Sequence, residues 1–122
     1  MATIIVVEDQ PDNLKLLTML LKVKGHEVIG LENGDRVAEI VQTHQPRPDL
    51  VLLDIELPGR DGYAVLEELK LLPQRSWKVV ALTAHALPED RARADAAGFD
   101  GYITKPIDVR AFSTEVAQYL GG

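Results

Sequence analysis

The chain has 122 residues, 46% of them apolar and 26% charged, with a formal net charge of −6 and no cysteine. That balance suits one domain, residues 1–122, whose core needs no disulfide or structural metal. The missing thiols exclude a disulfide framework, thiolate zinc sites and thiol catalysis. The acidic charge argues against a nucleic-acid surface, which needs clustered Lys and Arg. No apolar run approaches the ~20 residues that span a bilayer.

In chain order, the pattern alternates strand and helix five times. Met1-Ala2-Thr3 lacks the basic start of a secretory signal, and its place two residues before a strand fits a native start. A strand is expected at 3–7, where Ile4-Ile5-Val6-Val7 form an apolar run. A helix follows at 11–24, opened by Pro11 and stopped by Gly25. The second unit is a strand at 26–31 and a helix at 34–44 with Asn33 as its N-cap. The third is a strand at 49–54, built on Leu50-Val51-Leu52-Leu53, and a helix at 62–72 capped by Asp61. The fourth is a strand at 77–83, with Trp77 packing at its start, and a helix at 88–97 between Pro88 and Gly98. The last is a strand at 99–103 and a helix at 108–120, capped by Asp108, with Val109, Phe112, Val116 and Leu120 on one stripe.

Continuous apolar runs rather than alternation mark strands covered on both faces, as in parallel sheets. Five such units predict an α/β three-layer sandwich with right-handed crossovers; the sheet order 2-1-3-4-5 is borrowed from known doubly wound folds of this length rather than derived from the pattern. Ligands of such folds sit beyond the carboxyl ends of the strands, near the point where the order reverses.

The polar residues concentrate at those ends. Glu8-Asp9 close the first strand, Asp54 the third and Thr83 the fourth, and Lys105-Pro106 follow the fifth. Neighbouring strands lie roughly 5 Å apart, so Glu8, Asp9 and Asp54 are expected to meet. Three carboxylates that close repel unless a proton or cation intervenes. A hard divalent ion such as Mg²⁺, which takes oxygen ligands, answers that repulsion, and Lys105 adds a fixed positive charge. Each residue alone has an ordinary explanation as a cap, a loop acid or a solvated charge. Their placement at four different strand ends is what carries the reading.

These segments (IIVVEDQPD at 4–12, DLVLLDIELPGRDG at 49–62, VVALTAHA at 79–86 and GFDGYITKPID at 98–108) resemble the receiver domain of two-component response regulators. The chain is similar to single-domain chemotaxis and cell-division regulators and to the receivers of hybrid kinases. The resemblance implies a flavodoxin-like (βα)5 fold and a cytoplasmic signalling switch rather than an enzyme with an outside substrate. It implies Asp54 as phosphoacceptor and Asp9 as a direct Mg²⁺ ligand. Glu8 would act through water, and the Glu56 backbone carbonyl would complete the set. It further implies Thr83 and Lys105 on the phosphoryl oxygens, Thr83 and Tyr102 as the switch pair, and a cis Lys105-Pro106 bond. The implied partners are a histidine kinase or histidine phosphotransfer protein and a downstream protein target, with neither nucleic acid nor membrane.

Other residues draw structural expectations. Asp61 reads as a cap rather than a metal ligand. His26, His44 and His85 share no ligand spacing. Arg91 and Arg93, among Glu89, Asp90 and Asp95, read as a solvated helix face that could dock a partner. Glu56 and His85 lie two residues after Asp54 and Thr83, and are expected to meet at the mouth of the site. Two rival functions fail on sequence grounds. An aspartyl-phosphate phosphatase of the haloacid-dehalogenase type carries its D-x-D motif on the first strand, where this chain has Glu8-Asp9-Gln10-Pro11. A flavodoxin-like electron carrier needs a hydroxyl-rich phosphate loop where this chain is acidic.

Overall fold

The computed structural model describes residues 2–73 and 75–120. Five strands, β1 (Thr3–Val7), β2 (Glu27–Leu31), β3 (Leu50–Asp54), β4 (Lys78–Thr83) and β5 (Gly101–Thr104), alternate with five helices. These are α1 (Pro11–Val23), α2 (Val37–Thr43), α3 (Gly62–Lys70), α4 (Pro88–Ala97) and α5 (Val109–Tyr119). All strand pairs are parallel and the sheet runs β2-β1-β3-β4-β5. This is the three-layer sandwich expected from the apolar runs, in the flavodoxin-like form that the resemblance implied. Every residue of β1 and β3 is buried, whereas the edge strands β2 and β5 are partly open.

Side chains alternate between two cores, as strand geometry requires. Val7, Leu53 and Ala81 point to one face and pack with Val37, Val65, Leu66 and Ala94 of α2, α3 and α4. Val6, Leu52, Val80 and Leu82 point to the other, against Leu17 and Leu21 of α1 and Phe112 and Val116 of α5. Trp77, buried directly before β4, belongs to the first core as expected.

Local signals fix most boundaries. Pro11 and Pro88 open their helices, and Asp61 and Asp108 accept hydrogen bonds from Ala64 and from Arg110 and Ala111. Gly25 and Gly98 leave their helices with φ of +89° and +111°, a region that favours glycine. Three expectations need correction. Asn33 is not a helix cap: its Oδ1 accepts from Asp35 N–H in a local turn, and α2 starts only at Val37. The fifth strand starts at Gly101 rather than 99, because Phe99 is spent as a buried core plug before it. Val109 is 54% exposed, since the α5 stripe meets the sheet only from Phe112 onward. Arg91 and Arg93 are exposed, as expected of that face, and their guanidinium groups stack over Tyr102 and Tyr63. No helix among the described residues is long and apolar enough to cross a membrane.

Candidate functional site at the carboxyl ends of β1, β3, β4 and β5

The sheet ladder sets the site. β1 and β3 are paired through Val7 and Leu53, so Glu8 and Asp54, one residue on, emerge side by side. Glu8 N–H continues the ladder to Leu31 O at 3.0 Å, and Ile55 N–H reaches Leu82 O at 3.0 Å. Lys105 N–H donates to Thr83 O at 2.8 Å, which carries the β4–β5 pairing one step past Thr104 and brings the lysine over the same end. The loop after β3 must then turn back. Gly62 N–H donates to Ile55 O at 2.9 Å. A Cβ on Gly62 would lie 2.6 Å from the Asp54 carbonyl oxygen, so only glycine admits this approach.

Glu8, Asp9 and Asp54 each present a carboxylate oxygen within 4.8 Å of the others. Glu8 and Asp54 are buried at 0% and 1% exposure, and Asp9 is half-buried. Lys105 Nζ bridges the two buried acids, 2.9 Å from Asp54 Oδ2 and 3.2 Å from Glu8 Oε1. The other Asp54 oxygen, Oδ1, accepts the Glu56 N–H at 2.8 Å. One lysine does not balance this charge. Burial, reinforced by a hydrogen bond to Asp54 and by repulsion from it, pushes the Glu8 carboxyl up to about 7. Burial alone would lower the Lys105 pKa, but bonding to and the charge of Asp54, with Glu8, outweigh it and hold the ammonium above its usual range. The arrangement is an oxygen-rich pocket short of positive charge, and it fits a hard divalent cation.

Thr83 is buried at the end of β4, and its hydroxyl is engaged by the following loop: Oγ1 accepts from His85 N–H at 2.9 Å and donates to His85 O at 3.3 Å. At the mouth, Glu56 and His85 meet as expected, with Oε2 and Nε2 3.0 Å apart, while both side chains stay largely open to solvent. Two clefts flank the carboxylates. One includes Asp9, Asn33, Pro58 and Arg60, and the other Asn13, Leu16, Ala84, Lys105 and Pro106. The Lys105-Pro106 peptide is cis, as the resemblance implied. Asp61 serves as the α3 cap and lies outside the carboxylate cluster.

The structure therefore gathers Glu8, Asp9, Asp54 and Lys105 and places Thr83 at the adjoining strand end. Tyr102 stands one strand away, paired across the sheet with Ala81. The aromatic and guanidinium partners around it, Tyr63, Arg91 and Arg93, were not singled out by sequence reasoning as neighbours of the site. No local pattern pairs residues so far apart in the chain.

Comparison with known proteins agrees with this geometry. The family model described as the response regulator receiver domain matches residues 4–117. The polar-differentiation response regulator DivK of Brucella anthropi is 38% identical, with 98% of this chain and 96% of that protein covered. The sensor protein GacS of Pseudomonas syringae is 37% identical over 97% of this chain, which spans 13% of that longer protein. Among solved structures, the signal receiver domain of a signal transduction histidine kinase from Syntrophus aciditrophicus superposes with a TM-score of 0.85 at 32% identity, covering 100% of this chain and 92% of that one. With the fold, the strand-end carboxylates and a family model spanning nearly its whole length in accord, the chain belongs to the response-regulator receiver family, the phosphorylation-dependent switches of two-component signalling.

Proposed function

We propose that this chain is a cytoplasmic switch that takes a phosphoryl group onto Asp54 from a phosphohistidine of a sensor kinase or histidine phosphotransfer protein, and then presents an altered surface to a downstream protein. The observation that carries the reading is Lys105 Nζ at 2.9 Å from a buried Asp54 carboxylate, beside two further acids. That combination suits phosphoryl transfer, which asks a site for positioning and charge neutralisation more than for covalent help.

In this reading an Asp54 carboxylate oxygen attacks phosphorus in line with the phosphohistidine ring nitrogen. The P–O bond forms as the P–N bond breaks, and the ring nitrogen keeps the electron pair and regains a proton from solvent. Asp9 and Asp54 would hold Mg²⁺ directly, the Glu56 carbonyl would join them, and Glu8 would act through water. The ion supplies neutralisation of the charge on the transferring oxygens. Lys105 would shift from bridging Glu8 and Asp54 to holding a phosphoryl oxygen. Thr83 would exchange its bonds to the His85 backbone for another, and Tyr102 would move into the space that opens. The chain would promote only its own phosphorylation and dephosphorylation.

Removing a direct metal ligand should cost more than removing one that acts through water. Asp9→Ala is therefore expected to weaken Mg²⁺ binding by roughly 10-fold or more, and Glu8→Gln by less, in a titration followed by NMR shifts. Equal affinities in the two variants would contradict the assigned roles.

The Glu56–His85 pair stands where water must approach an acyl phosphate on Asp54, and we propose that it obstructs that approach. Each of Glu56→Ala and His85→Ala should then change the dephosphorylation rate. Because the residues touch at 3.0 Å, the double variant should depart from the product of the two effects. The pair is solvent-exposed, so the coupling should be modest, about 5-fold at most. Strictly multiplicative rates would leave two independent surface residues.

A further inference from the structure

Helix α4 is anchored unusually. Its sequence PEDRARADAA has a single buried residue, Ala94, and no large apolar side chain facing the sheet. Two arginines straddle the helix instead. Arg93 lies 4.2 Å over the Tyr63 ring, which in turn meets Phe99 edge-on at 5.6 Å. Arg91 lies 4.7 Å over the ring of Tyr102 on β5. Guanidinium–ring contacts of this kind occur about once per 70–80 residues, so two on one ten-residue helix are a feature of its attachment. A cavity of about 70 Å³ borders the tyrosine, lined by Thr83, Ala94 and Tyr102 itself and, on its polar side, by Asp90, Arg91 and Arg93. It holds about two waters, and an engineered core cavity that admits a benzene ring is about twice as large.

We propose that Arg91 is a positioning residue that acts through Tyr102, holding the ring out of this cavity and so setting how much of the unphosphorylated protein occupies the active packing. This rests on the switch reading of Thr83 and Tyr102 given above. Tyr102 and Thr83 share the sheet face that α4 covers, since Ala81, the register partner of Tyr102, lies two residues before Thr83 on the same strand. The cavity between them is the space that the ring would fill once the threonine turned away. On this proposal, entering it draws the ring from under the guanidinium and widens the cavity against Ala94. The contact with Arg91 is lost in one packing and kept in the other, which is the differential that biases a two-state equilibrium. Arg93 stacks on a different ring, Tyr63 on α3, and so serves as the control for helix attachment.

The test follows Tyr102 ring signals by NMR with Mg²⁺, with and without beryllofluoride as the phosphoryl mimic, in wild type, Arg91→Ala, Arg91→Lys and Arg93→Ala. Without the mimic, Arg91→Ala should raise the inward-to-outward ratio about two- to fivefold, the worth of one exposed cation–π contact. The half-saturating beryllofluoride concentration should fall by a similar factor, because apparent affinity scales with the competent fraction. Arg91→Lys, which keeps a cation, should restore most of the wild-type ratio. Alanine is a better helix former than arginine, so α4 should persist in the variant. Wild-type values in Arg91→Ala, with a wild-type ring that does respond to the mimic, would overturn the positioning role and leave the switch intact. A full Arg91→Ala phenotype in Arg93→Ala would overturn it too, by assigning the effect to a loosened helix. A ring that ignores the mimic in wild type would overturn the switch and the proposal together.

Discussion

Asp54→Asn should reduce phosphoryl incorporation at least about a thousandfold, the scale seen when a nucleophile is removed, while leaving the protein folded. An amide cannot form the acyl phosphate, and no other carboxylate occupies the same position. Lys105 Nζ lies nearer Asp54, at 2.9 Å, than Glu8, at 3.2 Å, and the raised pKa of the Glu8 carboxyl makes Glu8 the poorer nucleophile. The neutral side chain retains an oxygen for the Glu56 N–H and removes one of the two buried acids that share Lys105. Circular dichroism and denaturant unfolding would verify the fold. A variant that labels at the wild-type rate would displace Asp54 from the chemistry.

The second large effect is a dependence of stability on pH in the metal-free protein. Glu8 is raised from 4.5 to about 7 in the folded state, first by burial and then by Asp54. A group whose folded value exceeds its unfolded one holds extra protons in the native state. Its contribution is complete below the unfolded value and is lost as pH rises through the folded one. Unfolding free energy in EDTA should therefore fall between about pH 5 and pH 8, by on the order of 3 kcal/mol. His26 works the other way, since burial and then the N-terminal charge depress it. Its contribution is present above its unfolded value and lost as pH falls. The contrast with Glu8→Gln isolates the carboxyl: that variant should be flatter across the window and more stable than wild type at pH 8. Saturating Mg²⁺ should flatten the wild-type curve as well, because a cation favours the ionised form. Parallel curves for wild type and Glu8→Gln would show that Glu8 ionises in the native state as easily as in the unfolded one.

The fold was legible because the three central strands are long apolar runs that only a sheet covered on both faces can bury, and because Pro11, Pro88, Asp61, Asp108, Gly25 and Gly98 mark helix ends by local chemistry. What escaped depended on neighbours distant in the chain. Asn33 has the chemistry of a cap and uses it in a turn, four residues before the helix begins at Val37. The exposure of Val109 follows from where α5 meets the sheet, which helical periodicity does not specify. The site was legible for a similar reason as the strands. Residues at the ends of adjacent parallel strands must converge, so Glu8, Asp9, Asp54, Thr83 and Lys105 could be grouped before any coordinates. The Lys105 bridge to Glu8, across 97 positions, and the stacking of Arg91 on Tyr102 depend on rotamers that no spacing encodes.

The most direct measurement is the mass and location of the label after incubation with a phosphohistidine donor or acetyl phosphate. One phosphoryl group per chain, on the peptide that contains Asp54, present with Mg²⁺ and lost with EDTA or in Asp54→Asn, is the predicted result. Label on a different residue, or equal labelling with and without the metal, would contradict it.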